Sequence, residues 1–108
     1  MSELIVVSLK TLISFPDEYH EKSISVHGFL SLKFEGHSLW SSEPDYDKRN
    51  PKNSVWIDIS ISEANLIFDG ECVELEGVFN SKRKGHFGLY SGTIENITRI
   101  EKSSLDES

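Results

Sequence analysis

The chain has 108 residues, a formal net charge of -7 and a single cysteine, with 37% hydrophobic, 27% charged and 10% aromatic residues. That length predicts one domain, and the aromatic content argues against disorder. The acidity disfavours a nonspecific grip on a phosphate backbone, which needs a basic field, and Cys72 on its own excludes an intrachain disulfide or a Cys-rich zinc site.

The charge is uneven. Residues 51–80 set six acids against Lys52 alone, whereas residues 81–108 are slightly basic. Near the N-terminus, Leu4 to Val7 is too short for a signal core and is led by Glu3 rather than a base. No run approaches the roughly 18 apolar residues of a membrane span. A cytoplasmic, reducing location is expected. Residues 1–102 read as one domain and 103–108 as a flexible tail.

In chain order, Ser8 to Pro16 predicts a short helix. The Ser8 hydroxyl suits an N-cap, Leu9, Leu12 and Ile13 form one apolar stripe, and Pro16 turns Phe15 away from helical angles. A polar turn with Tyr19 follows. The clearest strand is next: Ile24, Val26, Gly28, Leu30, Leu32 and Phe34 alternate with Ser25, His27, Phe29, Ser31 and Lys33. Gly28, in the inward row, marks a bend or a close backbone approach. Glu35-Gly36 reads as a hairpin turn into a second strand, His37 to Ser42. Glu43 to Asn53 reads as an exposed loop.

A third strand alternates Val55, Ile57, Ile59 and Ile61 with Trp56, Asp58, Ser60 and Ser62. A helix-sized insert, Ser62 to Phe68, closes on Asp69-Gly70. The fourth strand alternates Val73, Leu75, Gly77 and Phe79 with Cys72, Glu74, Glu76 and Val78. After the basic turn Asn80 to Gly85, a fifth strand runs from Phe87 to Ile100. Its phase slips near Glu95-Asn96, which predicts a bulge. The expected fold class is all-β: a five-stranded OB-type barrel with a short N-terminal helix and a short helix between strands three and four.

Two stretches carry a resemblance. Val7 to Leu12, then Pro16, Tyr19, Lys22 and Ser25-Val26-His27-Gly28-Phe29-Leu30, resemble the opening of many small bacterial OB-fold proteins. Asp69 to Phe79 resembles their fourth strand, a valine strand ending in glycine and an aromatic. The resemblance implies an OB-type barrel. It carries no activity, because this fold hosts many unrelated functions.

Candidate chemistry is sparse. His20, His27, His37 and His86 lack a paired metal spacing; His27 and His37 facing each other across the first hairpin, with Asp58, is the one conceivable site. No nucleophile elbow is present, and neighbouring carboxylates blunt the Cys72 thiol. Neither catalysis, a cofactor nor a metal is expected. Phe29, Trp40 and Trp56 on the outward face of strands one to three form a candidate stacking platform, with Lys82-Arg83-Lys84 as a basic tip beside it. An outward tryptophan also packs readily under a loop such as Glu43 to Asn53, and Asp58 repels phosphate. The favoured reading is a protein-binding module. Its candidate residues are Phe29, Trp40, Trp56, Asp58, Glu74 and Glu76, and its partner is a basic protein. An immunity or inhibitor protein that neutralises a toxin domain is one version. A single-stranded nucleic-acid binder is the alternative.

Overall fold

The computed structural model describes residues 3–33, 36–48, 50–59, 67–85, 88 and 90–103. Its elements are β1 (Ile5–Val6), α1 (Leu9–Ser14), β2 (Ser23–Lys33), β3 (Gly36–Trp40), α2 (Glu43–Lys48), β4 (Ser54–Ile57), β5 (Glu71–Asn80) and β6 (Thr93–Lys102). Single 3₁₀ turns lie at Pro16–Tyr19 and Pro51–Asn53.

Five strands close into a barrel. β2 pairs antiparallel with β3 on one edge and with β5 on the other. β3 continues antiparallel to β4, β4 runs parallel to β6, and β6 returns antiparallel to β5. This closed order is compatible with an OB-type barrel. β1 is a sixth strand outside the closure, parallel to β2 with Ile5 opposite Ile24 and Val6 opposite Ser25.

The alternation in the sequence sets which side chains fill the barrel. Ile24, Val26, Leu30 and Leu32 of β2 join Leu39, Val55, Ile57, Val73, Leu75, Phe79 and Ile94 in one buried cluster. α1 adds Leu9 and Leu12 to it. The helix starts as expected, with Ser8 Oγ accepting from the Thr11 backbone N–H at 3.1 Å. Gly28 is where β2 passes closest to β3: a Cβ there would lie 2.5 Å from the Trp40 carbonyl oxygen. Asp69 fastens the entry to β5, its carboxylate accepting from the Leu32 N–H at 2.8 Å.

The expected bulge is present. Glu76 faces Arg99 while Val78 faces Glu95, so β6 spends extra residues there, and Asn96 takes a φ of 50°. Asparagine tolerates that left-handed conformation better than most residues.

Several boundaries differ from expectation. The last strand begins at Thr93 and not at Phe87, because Tyr90 to Gly92 form bends that feed backbone bonds to Lys84, Ser54 and Trp56. The stretch 43–53 is not a plain loop but carries α2 and a 3₁₀ turn. Its signal was local: Ser42 caps the helix, Pro44 sits in the first turn, and Asp45 donates its N–H to Ser42 Oγ at 3.4 Å. The hairpin tip 34–35, Phe34 of the inward row, most of the helix-sized insert (residues 60–66) and His86 lie outside the described residues.

Candidate functional site

Two outward groups of aromatics form on the β2–β3–β4 side, and each is already packed. Phe29 and Trp40 face each other across β2 and β3, yet they are only 7% and 4% exposed. Tyr46 of α2 covers both, its ring 5.4 Å from Phe29 and 5.7 Å from Trp40 between centroids. The Trp40 indole N–H is satisfied too, donating to Ser38 Oγ at 2.8 Å. These rings form a satellite core under α2, and their faces are occupied.

Trp56 sits farther along β4, opposite Ser38. His37 stacks on it at 5.4 Å with a 21° interplanar angle, and Tyr90 meets it edge-on at 5.4 Å. Gly85 presses against the indole, since a Cβ there would lie 2.7 Å from Trp56 Cβ. The Tyr90 hydroxyl is hydrogen-bonded to Ser38, and burial raises its pKa from the ordinary 10.0, with the Ser38 bond opposing. Ser38 thereby links Trp40 to Tyr90.

The Tyr90 shift has a sign that can be checked. As pH rises, the unfolded chain releases the tyrosine proton before the folded one does. The stability contributed by the neutral, half-buried hydroxyl is therefore complete below pH 10 and is lost as pH climbs through the higher folded value. Urea midpoints measured on both sides of about pH 10 are expected to fall less steeply in Tyr90→Phe than in the wild type. Equal alkaline slopes would refute this.

The basic tip is partly neutralised. Arg83 donates to Asp58 at 2.9 Å and to Glu95 at 3.0 Å. Both bonds raise the Arg83 pKa, the Asp58 bond most. Asp58 thus acts as a counter-ion inside the protein, and Arg83 ties the β5–β6 connection to β4 and β6. The Thr93 hydroxyl reinforces this by donating to the Arg83 carbonyl at 2.6 Å.

Glu74 and Glu76 occupy a different face, the outer side of β2, β5 and β6. Register places His27, Glu74 and Glu101 in one row and Ser25, Glu76 and Arg99 in the next. β1 extends the second row with Val6, which is 83% exposed. Arg99 serves two carboxylates, donating to Glu76 at 2.7 Å and bidentately to Glu101 at 2.7 and 3.0 Å. Those hydrogen bonds push its pKa well above the ordinary guanidinium value, Glu101 contributing most. Glu74, directly opposite Glu101, makes no ion pair among the described residues. Cys72 is exposed beside this face, opposite Phe29.

The six candidate residues therefore split into three groups: Phe29 with Trp40 under α2, Trp56 with Asp58 near the β5–β6 connection, and Glu74 with Glu76 on the β5–β6 face. Tyr46, His37 and Tyr90, which complete the first two groups, carried no pattern that ties them to their partners. The register also separates His27 from His37. His37 pairs with Leu32, five residues along β2 from His27, roughly 16 Å at strand spacing. No group of three metal-ligating side chains forms among the described residues.

One Ser–His–Asp grouping does assemble. Ser81 Oγ donates to Asp17 at 3.1 Å and lies 3.2 Å from His20 Nδ1. That nitrogen already accepts the Ser81 backbone N–H at 3.1 Å. The serine proton is directed to the carboxylate, the imidazole acceptor is taken, and Ser81 is buried. This is not the nucleophile–base–orienter geometry of a hydrolase; it fastens the turn after α1 to the end of β5. Among the described residues, no helix is long and apolar enough to cross a membrane. No protein-family model, curated protein or solved structure matches this chain.

Proposed function

We propose that this chain is a non-enzymatic protein-binding module whose partner is basic, docked on the outer face of β2, β5 and β6. The observation that carries this reading is the Glu74–Glu101 pair. Two carboxylates directly opposite on neighbouring strands destabilise a sheet, and the single nearby guanidinium is already shared between Glu76 and Glu101. A partner's lysine or arginine would supply the missing counter-charge. Val6, at the end of the same face, offers an apolar contact beside the charges, the combination of anchor and steering group that protein interfaces use. The net charge of -7 favours fast encounter with a basic surface. An immunity or toxin-inhibitor role is the finer form of the same reading, in which the basic partner is an enzyme whose active site this face covers.

Nucleic acid is supported less well. Stacking needs open ring faces, and Phe29, Trp40 and Trp56 are all covered by neighbours. Arg83 spends its charge on Asp58 and Glu95.

The test compares wild type with a Glu74→Lys, Glu101→Lys variant in affinity capture from the source organism at low and moderate salt. The wild type is expected to retain a basic protein that the variant releases, with retention weakening as salt rises. No specific capture, or equal capture by both proteins, refutes the reading. Inhibition of the captured partner's own activity decides for the inhibitor form. Quenching of tryptophan fluorescence by single-stranded oligonucleotide at low salt would decide for the alternative.

A further inference from the structure

The flank of the barrel between α1 and α2 holds two adjoining cavities. One, of about 320 Å³, is lined by Lys10, Ser14, Ser41, Asp45 and Asn53, with Ile13 as an apolar wall. The other, of about 220 Å³, shares Lys10 and Ser41 and reaches His27. Its origin lies in the strand register. β1 stops pairing with β2 at Ser25, and β3 starts pairing at Phe29. Since β5 covers the other edge of β2, the edge between them at His27 carries no strand.

Two features of this groove are unexplained by the fold. Lys10 and Asp45 line the same cavity, yet neither makes an ion pair with the other or with another described residue. His27 Nε2 is buried with no hydrogen-bond partner among the described residues. A buried polar nitrogen of this kind is normally satisfied by a bound molecule or an ordered water.

We propose that the groove binds a small zwitterion of amino-acid size, with its carboxylate toward Lys10 and its ammonium toward Asp45. A cavity of about 320 Å³ falls at the small end of the range for ligand sites. The Ser14 and Ser41 hydroxyls and the Asn53 amide supply neutral donors and acceptors along the wall, and Ile13 receives an aliphatic portion. His27 lines the adjoining cavity, where a water can bridge its Nε2 to the ligand. The groove borders the protein-binding face at His27, which pairs with Glu74, but that face contains neither Lys10 nor Asp45.

The test is an NMR titration of the full chain with glycine, glutamate and lysine as probes, and with acetate and methylammonium as single-charge halves. At least one amino acid is expected to give saturable shifts at the Lys10, Ser14, Ser41 and Asp45 amides and at the His27 ring, with both halves binding at least about tenfold more weakly. Lys10→Met and Asp45→Asn are expected to weaken binding by about tenfold each, the worth of one charged contact. Both variants are expected to melt like the wild type and to keep the capture of a basic partner. No saturable shift with any of the three amino acids up to about 10 mM, well above a millimolar site, overturns the proposal. So do shifts that both variants leave unchanged.

Discussion

Replacing Gly28 with alanine is expected to lower the stability of the barrel by about 3 kcal/mol, the upper range for an overpacked core position. The added methyl would lie 2.5 Å from the Trp40 carbonyl oxygen and 2.9 Å from Leu39 Cγ. The nearest obstacle is backbone, which cannot rotate aside. Nor can Trp40 move freely. It pairs with Phe29 on one side and Ser54 on the other, its indole N–H is bound to Ser38, and Tyr46 packs on its ring. Relief therefore requires β2 and β3 to separate, and in a closed barrel that strain passes to every other strand pair. The urea midpoint is expected to drop with an unchanged m-value, the mark of a stability change without a change in exposed surface. A loss below about 1 kcal/mol would show that the β2–β3 approach is looser than the structure has it, since overpacking typically costs at least that much.

The second large effect centres on Phe79, a fully buried side chain of β5. Phe79→Ala is expected to cost about 4 kcal/mol, from lost burial and the cavity left behind. Its ring lies directly under Gly92, where a Cβ would meet Phe79 Cζ at 2.4 Å and Cε1 at 2.6 Å. Gly92→Ala is therefore expected to cost about 2–3 kcal/mol by overpacking. The two effects must be coupled. In a Phe79→Leu background the ring is gone, and the added cost of Gly92→Ala is expected to shrink by about 1 kcal/mol or more. Strict additivity would refute the contact. Gly92 also bears on the candidate site, because its carbonyl accepts the Trp56 N–H at 2.9 Å. A displaced Gly92 should therefore shift Trp56 emission, which gives the double-mutant cycle a second readout.

These contacts explain why the aromatic platform suggested by the alternation is not an open one. Outward position on a strand is a local property, whereas exposure depends on what the rest of the chain lays over that strand. Phe29 and Trp40 point out of the barrel and are still buried, because α2 delivers Tyr46 on top of them. Arg83 belongs to a basic turn and is still neutralised, because Asp58, 25 residues earlier, ends on the same face. The acidic row of β5 escapes this. Only Arg99 reaches it with ion pairs among the described residues, and it contacts Glu76 and Glu101 rather than Glu74.

What the sequence by itself determined is the set of local choices. Two-residue alternation selected the inward rows of β2 and β5, Ser8 started α1, Asp69-Gly70 opened β5, and the phase slip at Glu95-Asn96 announced the bulge. Each follows from a residue's own preference or from spacing within a few positions. The tertiary structure alone decided the parallel β4–β6 pairing, which rests on Trp56 opposite Thr93 and Ile57 opposite Ile94. It also decided the added strand β1, the burial of the outward aromatics, and the groove at His27 left where β1 ends before β3 begins. All of these depend on register between distant segments. Closure of the barrel sets that register through the summed packing of its core, and no short stretch of sequence encodes it.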